Sequence, residues 1–360
     1  MSVCYVPDSW KSAIIIPVFK KGAAEKVDNY RPISLTCVAG KIMERLIAAE
    51  LYEHLRFNGL LSGAQHGFIK GKSTCTNLLE CINDWTIILQ NRKSVTVAYI
   101  DFKKAFDTVS HGKLFARLYS YGIRGQVLSW IKNFFTNRTH QTKIGWSLSA
   151  VADLLSGVVQ GSGLGPVCFL VYIDDLAKVL ERNGILAKLF ADDLKVYLEI
   201  ASISDCCNLQ KSLDVISMWA KDWQLELSVE KCNILQVGPC LVNYQYCVDH
   251  SSLPSQLQCK DLGVTVTNDL SPSQHICDIT IRAHRRANCI LRCFATRDND
   301  LLVRAFLVYV RPILEYNSIV WLPSLISDIE KLEKVQRRFT KRLSIFLSIL
   351  QYLTVSKASI

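Results

Sequence analysis

The chain has 360 residues, enough for one large domain or two to three small ones, and its 49% hydrophobic and 21% charged content fits a folded globular protein. A net charge of +10 points to an anionic partner, nucleic acid above all, with a membrane surface as the rival. No run of about 20 apolar residues is present, which argues against a spanning helix.

Met1 to Trp10 contains Pro7 and Asp8 and does not read as a secretory signal, so the expectation is an intracellular protein, nuclear or cytoplasmic. The 14 cysteines include no Cys-x-x-Cys pair. They are expected to be reduced, mostly buried small hydrophobes rather than zinc ligands.

Residues 11–20 read as a strand running into a basic loop, and Gly22 to Asn29 as a loop leading to Tyr30-Arg31-Pro32-Ile33-Ser34-Leu35. Helical periodicity covers Ile42 to Leu55 and Thr76 to Gln90, and an apolar strand follows at 95–101. Residues 111–136 read as two helices broken near Gly122 and Gly125. Gln141 to Ile144 and Val151 to Leu155 resemble a hairpin. A glycine-rich loop, Gly157 to Pro166, precedes a helix at 167–182, with Pro166 suited to its first turn.

The next hairpin carries Asp192 and Asp193. A helix at 205–221 and short strands at 232–237, 244–248 and 261–266 come after it. From Ser271 the chain becomes helical and rich in arginine (Arg282, Arg285, Arg286, Arg292, Arg297), so a boundary is placed near 268–272. After Leu343 the basic amphipathic pattern is lost.

Asp192 and Asp193 lie between two apolar, strand-like flanks, Lys188 to Ala191 and Leu194 to Tyr197. Two acids at such a tip repel each other and lose hydration, and a divalent cation between them relieves both costs. Asp101 ends the apolar run Val95 to Ile100. Three acids at the ends of two strands make a candidate two-metal site for phosphoryl transfer, with Asp101 and Asp192 bridging the ions and Asp193 peripheral. Taken alone, Asp-Asp reads more readily as an ordinary solvated turn; Asp101 at the end of its apolar strand and the Gln160 loop between the two sites shift the balance toward a metal turn. Asp107 is expected to cap the next helix or pair with a basic neighbour. Asp174-Asp175 reads as a solvated pair late in its helix, although Tyr172-Ile173-Asp174-Asp175 could pass for a catalytic turn.

These stretches, in this order, resemble the reverse transcriptase of non-LTR, jockey-like retrotransposons. The matching segments are Ile16 to Gly22, Asn29 to Leu35, Gln65-His66-Gly67-Phe68, Ile100 to Val109, Gly157 to Pro166, Phe190-Ala191-Asp192-Asp193, Lys260 to Val264, Val310 to Tyr316 and Leu332 to Phe339. The resemblance covers roughly residues 7–342. It implies an α+β right-hand fold, with fingers at 1–94, a palm at 95–268 interrupted by finger-like helices at about 111–150, a helical basic thumb at 269–343 and an atypical tail at 344–360.

It further implies an RNA-directed DNA polymerase using dNTPs, two Mg²⁺ (Mn²⁺ as a substitute), an RNA template, a DNA primer and their hybrid. No membrane and no obligate protein partner is implied. Asp101, Asp192, Asp193 and the Phe102 backbone would hold the metals. Phe106 would pack beneath the incoming sugar and reject a ribose 2′-oxygen. Gln160 and Gly161 would line the nucleotide loop, and Lys20 and Arg31 would face the triphosphate and template. Arg282, Arg285, Arg286 and Arg292 would track the duplex backbone.

The sequence departs from the family pattern at Val159, where proline is usual, at Gly163, where a larger residue is common, and at Leu194, where threonine is common. The first two are expected to loosen the loop. Together with the tail and the absent endonuclease, they lead to the expectation of a decaying fragment whose tail could come from a frameshift. The alternative function is therefore a catalytically inactive nucleic-acid-binding relic. A nucleotide cyclase on a palm-like fold is a third reading, disfavoured by the basic charge. Gly71-Lys72-Ser73-Thr74 imitates a phosphate-binding loop, but His66 stands where its first glycine is required.

Overall fold

The computed structural model of the protein describes residues 5–240, 242–294 and 298–343. In chain order, a short helix α1 (Asp8–Lys11) leads into β1 (Ser12–Phe19), β2 (Tyr30–Leu35) and the helices α2 (Val38–Phe57) and α3 (Thr74–Gln90). Strand β3 (Ser94–Ile100), helices α4 (His111–Ser120) and α5 (Gly125–Phe135), and strands β4 (Thr139–Ile144), β5 (Ser147–Leu148) and β6 (Ala152–Asp153) follow. Then come α6 (Gly165–Arg182), β7 (Leu186–Phe190), β8 (Asp193–Ile200), α7 (Ile203–Asp222), β9 (Asn233–Val237), β10 (Cys247–Val248), β11 (Ser251–Ser252), β12 (Ser255–Gln256), β13 (Gln258–Asp261) and β14 (Val264–Thr267). The chain ends in α8 (Ser273–Cys293), α9 (Asn299–Tyr309), α10 (Arg311–Glu315) and α11 (Ile326–Thr340).

Two compact units result. The first lies within the spans Met1–Ser73, Val95–Ile234 and Cys240–Ser255, the second within Thr74–Ser94, Leu235–Pro239 and Gln256–Ile360.

In the first unit, β1 pairs antiparallel with β2 and parallel with β4. β4 in turn pairs antiparallel with both β5 and β6. The expected hairpin over 141–155 therefore exists as a three-way pairing around β4. In the sheet that carries the acids, β8 lies between β3 and β7. β3 is a β-branched and aromatic run buried along almost its whole length, as a strand covered on both faces requires. α6 is buried over Val167 to Asp174 and fills the core beneath it, with α4, α5 and α7.

Asp174 and Asp175 do not form a solvated pair. Asp174 is buried, and its carboxylate accepts from the Ser62 backbone N–H (2.6 Å) and the Tyr121 hydroxyl (2.5 Å) while pairing with Lys178 (2.8 Å). Its charge is balanced by one cation and two hydrogen bonds, the condition for burying a carboxylate. Tyr121 in turn has its hydroxyl pKa raised, first by burial and then by Asp174. Asp175 pairs with Arg117 (2.7 Å) and accepts from the Trp219 indole (3.1 Å).

In the second unit, β13 and β14 form a hairpin whose turn is Leu262-Gly263, where a single strand at 261–266 was expected. Helices α8, α9 and α11 bury Ala283, Ala287, Ile290, Leu302, Phe306, Val335 and Phe339 in a core of their own. The expected tail after Leu343 and Arg297 lie outside the described residues.

Candidate active site

Asp101 follows the last residue of β3, and Asp192 occupies the tight turn between β7 and β8. Because β3 neighbours β8 in the sheet, the two carboxylates come to the same end of it. Burial pushes the Asp192 carboxyl above its ordinary range, and the Asp101 charge adds to that rise. Its own backbone N–H, Lys20 and Arg31 pull the other way. Lys20 and Arg31 stand on the β1–β2 hairpin, where Val18 pairs with Arg31 and the Lys20 N–H donates to the Asn29 carbonyl (2.7 Å). The structure thus brings Asp101, Asp192, Lys20 and Arg31 into one electrostatic neighbourhood. Asp193 is the first residue of β8, paired with Phe190 and exposed.

Two carboxylates that raise each other's cost in a half-buried site are hard oxygen ligands, and nearby cations relieve that cost only in part. Mg²⁺ is commonly held by one or two carboxylates plus substrate phosphates. Asp101 and Asp192 fit that donor set. Among the described residues no group of three His, Cys, Asp or Glu side chains assembles into a metal cage.

Lys231 was not singled out by sequence reasoning. Its ammonium lies 3.0 Å from Asp101 Oδ1. The backbone of Asp101 is fixed as well: its carbonyl accepts from the Ser228 N–H (2.8 Å), and its N–H donates to Cys232 Sγ (3.4 Å). The Asp101 carbonyl tie falls within Leu225 to Cys232, the segment that also meets Phe102 at Leu227. Phe102 itself is buried edge-on to Trp219.

Phe106 stacks on Phe169 with ring centroids 4.1 Å apart and meets Phe68 edge-on at 6.2 Å. Gln160 donates from Nε2 to Asp107 Oδ1 (2.7 Å), and its carbonyl accepts from the Ser34 N–H (2.8 Å). Asp107 therefore does not cap the next helix. It anchors Gln160, and burial raises its carboxyl pKa against Gln160, Lys104 and Lys20. Gly161 has φ +101°, and a Cβ there would lie 2.8 Å from the Ser34 carbonyl oxygen. The loop is thus docked on β2.

Gly163 is not a loosening residue. Its N–H donates to the buried Glu44 carboxylate (2.6 Å), and an added Cβ would stand 3.2 Å from Glu44 Cβ and Arg45 Cγ. Val159 is buried and its carbonyl accepts from the Ser162 N–H (3.1 Å).

Ala191 has φ +57°, a left-handed conformation that costs a residue with a Cβ about 1–2 kcal/mol. Something must hold it. The Ala64–Gly67 segment runs beside β7: the Leu189 N–H donates to the Ala64 carbonyl (2.9 Å) and the His66 N–H to the Leu189 carbonyl (2.8 Å). Gly67 lies so close that a Cβ there would be 2.2 Å from the Ala191 nitrogen.

Arg282, Arg285, Arg286 and Arg292 are all exposed on α8 in the second unit. At 100° per residue they span roughly a 120° arc that lies beside the stripe of Ile279, Ala283, Ala287 and Ile290, which are buried. None of the described helices is long and apolar enough to cross a membrane.

The chain resembles the RNA-directed DNA polymerase from mobile element jockey of Drosophila melanogaster, at 29% identity over 96% of this chain and 39% of that protein. The corresponding jockey protein of Drosophila funebris is 26% identical over 96% of this chain and 39% of its own length. The chain therefore spans about two fifths of the curated relatives it matches. Among solved structures, the apo telomerase from Candida Tropicalis superposes with a TM-score of 0.55 at 10% identity, over 96% of this chain and 59% of that one. That likeness gives the fold, the right-hand arrangement of mixed helix and sheet. Residues 18–266 match the model of the family described as reverse transcriptase (RNA-dependent DNA polymerase), a span that takes in Lys20, Arg31, both facing acids and the Gln160 loop, and the chain belongs to that family.

Proposed function

We propose that this chain is the polymerase part of a non-LTR retrotransposon protein and copies RNA into DNA by adding dNTPs to a primer 3′-OH. The observation that carries this reading is that neighbouring strands β3 and β8 bring Asp101 and Asp192 to one end of the sheet, where the Lys20 and Arg31 charges oppose the rise in the Asp192 pKa. Carboxylates for metal and cations for a triphosphate are the two halves of a nucleotidyl-transfer site. In this reading residues 1–94 act as fingers, 95–268 as palm and 269–343 as thumb.

The primer 3′-oxygen bonds to the α-phosphorus as the bond to pyrophosphate breaks. Mg²⁺, or Mn²⁺ in its place, supplies charge neutralisation at the attacking and leaving oxygens when bound. Asp101 and Asp192 would hold the metal, with Asp193 and the Phe102 backbone as further donors. Lys20 and Arg31 bind and orient the triphosphate, a task to which the fork of a guanidinium is suited. Phe106, fixed against Phe169, presents an aromatic edge to the sugar and selects against a 2′-hydroxyl. Gln160 and Gly161 bring backbone close to the nascent pair. The arginines of α8 bind hybrid backbone without reading sequence.

Primer extension on an RNA template tests the reading. Extension that is lost in Asp192→Asn at unchanged hybrid affinity is the expected result. Extension that survives the substitution, or a folded sample that binds hybrid and extends nothing, would sink it. The second outcome would leave the inactive binding relic.

A further inference from the structure

We infer that Gln65 is a positioning residue that latches the Asp192 turn into metal-binding geometry. Gln65 is buried, and its side-chain amide is spent on the backbone of that turn and its neighbour. Oε1 accepts from the Ala191 N–H (3.0 Å) and from the Gly67 N–H (2.7 Å), and Nε2 donates to the Ala191 carbonyl (3.3 Å). Two donors into one atom and one acceptor at the other fix which way the amide points. Both polar groups of Ala191 are thereby bound by one side chain, at the residue whose left-handed backbone sets the direction of Asp192.

The latch is itself held in place. The residues on either side of Gln65 pair with Leu189 of β7, and Ser62, three residues earlier, donates to buried Asp174. Gly67 must lack a side chain for the segment to lie this close. The Gln65 amide is committed to the backbone of Ala191 and Gly67. It acts through Ala191 on the orientation of the Asp192 carboxylate toward Asp101. Supports of this kind are commonly worth 10–100-fold in metal affinity or activity.

The inference rests on the proposed polymerase reading for its activity arm but not for its metal-binding arm. The full 360-residue chain and its Gln65→Met and Gln65→Glu variants should be compared by melting temperature, by Mn²⁺ binding followed with electron paramagnetic resonance, and by primer extension over a Mg²⁺ series. Met fills the same volume and removes all three hydrogen bonds. Glu keeps both acceptor contacts.

In Gln65→Met the Mn²⁺ affinity should fall about tenfold, kcat should fall about tenfold and the dNTP KM should stay unchanged, as expected for an outer support. Gln65→Glu, which keeps the two acceptor contacts but turns the third into an oxygen–oxygen contact with the Ala191 carbonyl, should recover part of each. Wild-type Mn²⁺ affinity in a folded Gln65→Met protein would overturn the inference, as would losses in both variants that merely track melting temperature. If the wild-type chain binds Mn²⁺ but extends no primer, the polymerase reading fails and the Mn²⁺ comparison alone judges Gln65.

Discussion

Lys231 and Asp101 form an ion pair of 3.0 Å at the site where a divalent cation would bind. In the proposed reading the ammonium and the metal would therefore draw on the same carboxylate. Lys231→Ala removes one competitor, and the pair is exposed enough that its worth is about 0.5–1 kcal/mol. The Mg²⁺ concentration for half-maximal extension should fall roughly two- to fivefold, which 0.5–1 kcal/mol corresponds to. An unchanged or higher midpoint would show that Lys231 does not compete.

Gly163→Ala separates a packed loop from a loose one by the sign of its effect. In a loose loop the substitution would stabilise by about 0.4–1 kcal/mol through the unfolded chain. Against Glu44 and Arg45, which stand 3.2 Å from the new Cβ, it should instead destabilise by about 1–2 kcal/mol. Denaturant melts of the two proteins give the answer.

His275 supplies a pH dependence. Burial, then the charge of Arg282 and more weakly that of Lys260, hold its imidazole down to about 4, with Asp278 opposing. Nδ1 accepts from the Thr265 N–H (3.1 Å), and the ring packs on Trp321 at 5.2 Å. The folded state keeps this ring neutral, while the unfolded chain protonates it near its ordinary 6.5. Between those values the unfolded state binds more protons, so stability is full above about 6.5 and falls as pH drops toward 4, by at most about 1.4 kcal/mol per unit. His275→Asn, whose Oδ1 can take the Thr265 N–H, should flatten that slope. Urea midpoints from about pH 7.5 to about 4.5, which bracket that window, would reveal an unchanged slope if His275 is not responsible.

Phe106→Val should raise ribonucleotide use relative to deoxynucleotide use by about tenfold or more, the scale on which a specificity pocket discriminates by shape. The ratio of kcat/KM for dNTP and rNTP measures it. A ratio that stays fixed would reduce Phe106 to a core aromatic stacked on Phe169.

Replacing Arg282, Arg285, Arg286 and Arg292 together by Gln should lower the salt dependence of hybrid binding. The slope should drop by about 0.7–0.9 for each phosphate that the protein no longer neutralises. A parallel line at lower affinity would mean that these arginines touch no backbone phosphate.

Much of the site was readable because its acids end apolar runs. β3 and the β7–β8 hairpin announce themselves through runs rich in Val, Ile, Leu, Tyr and Phe, and Asp101 and Asp192 stand at the ends of those runs. Lys20 and Arg31 are near neighbours in the β1–β2 hairpin, so one local turn places both. What escaped were partners brought together from far apart. Lys231 reaches Asp101 over 130 residues, Gln65 reaches Ala191 over 126, and Ser62 reaches Asp174 over 112. No periodicity records such a meeting. Gln65 reads as one letter of a motif, and Gly163 reads as slack, until the carboxylate of Glu44 is seen against its amide.

Asp174 sits in a Tyr-Ile-Asp-Asp sequence that imitates a catalytic turn, yet its carboxylate joins α6 to Ser62 and Tyr121. Ser62 begins the short stretch that ends in Gln65. Loss of this acid would therefore slacken the support of the Asp192 turn while leaving both Asp101 and Asp192 in place. A mutational screen that scores DNA synthesis alone would rank Asp174 beside Asp192 as indispensable. In the proposed reading one is a hinge pin of the scaffold and the other an electrostatic tool, and only a fold-sensitive measurement run beside the activity screen tells them apart.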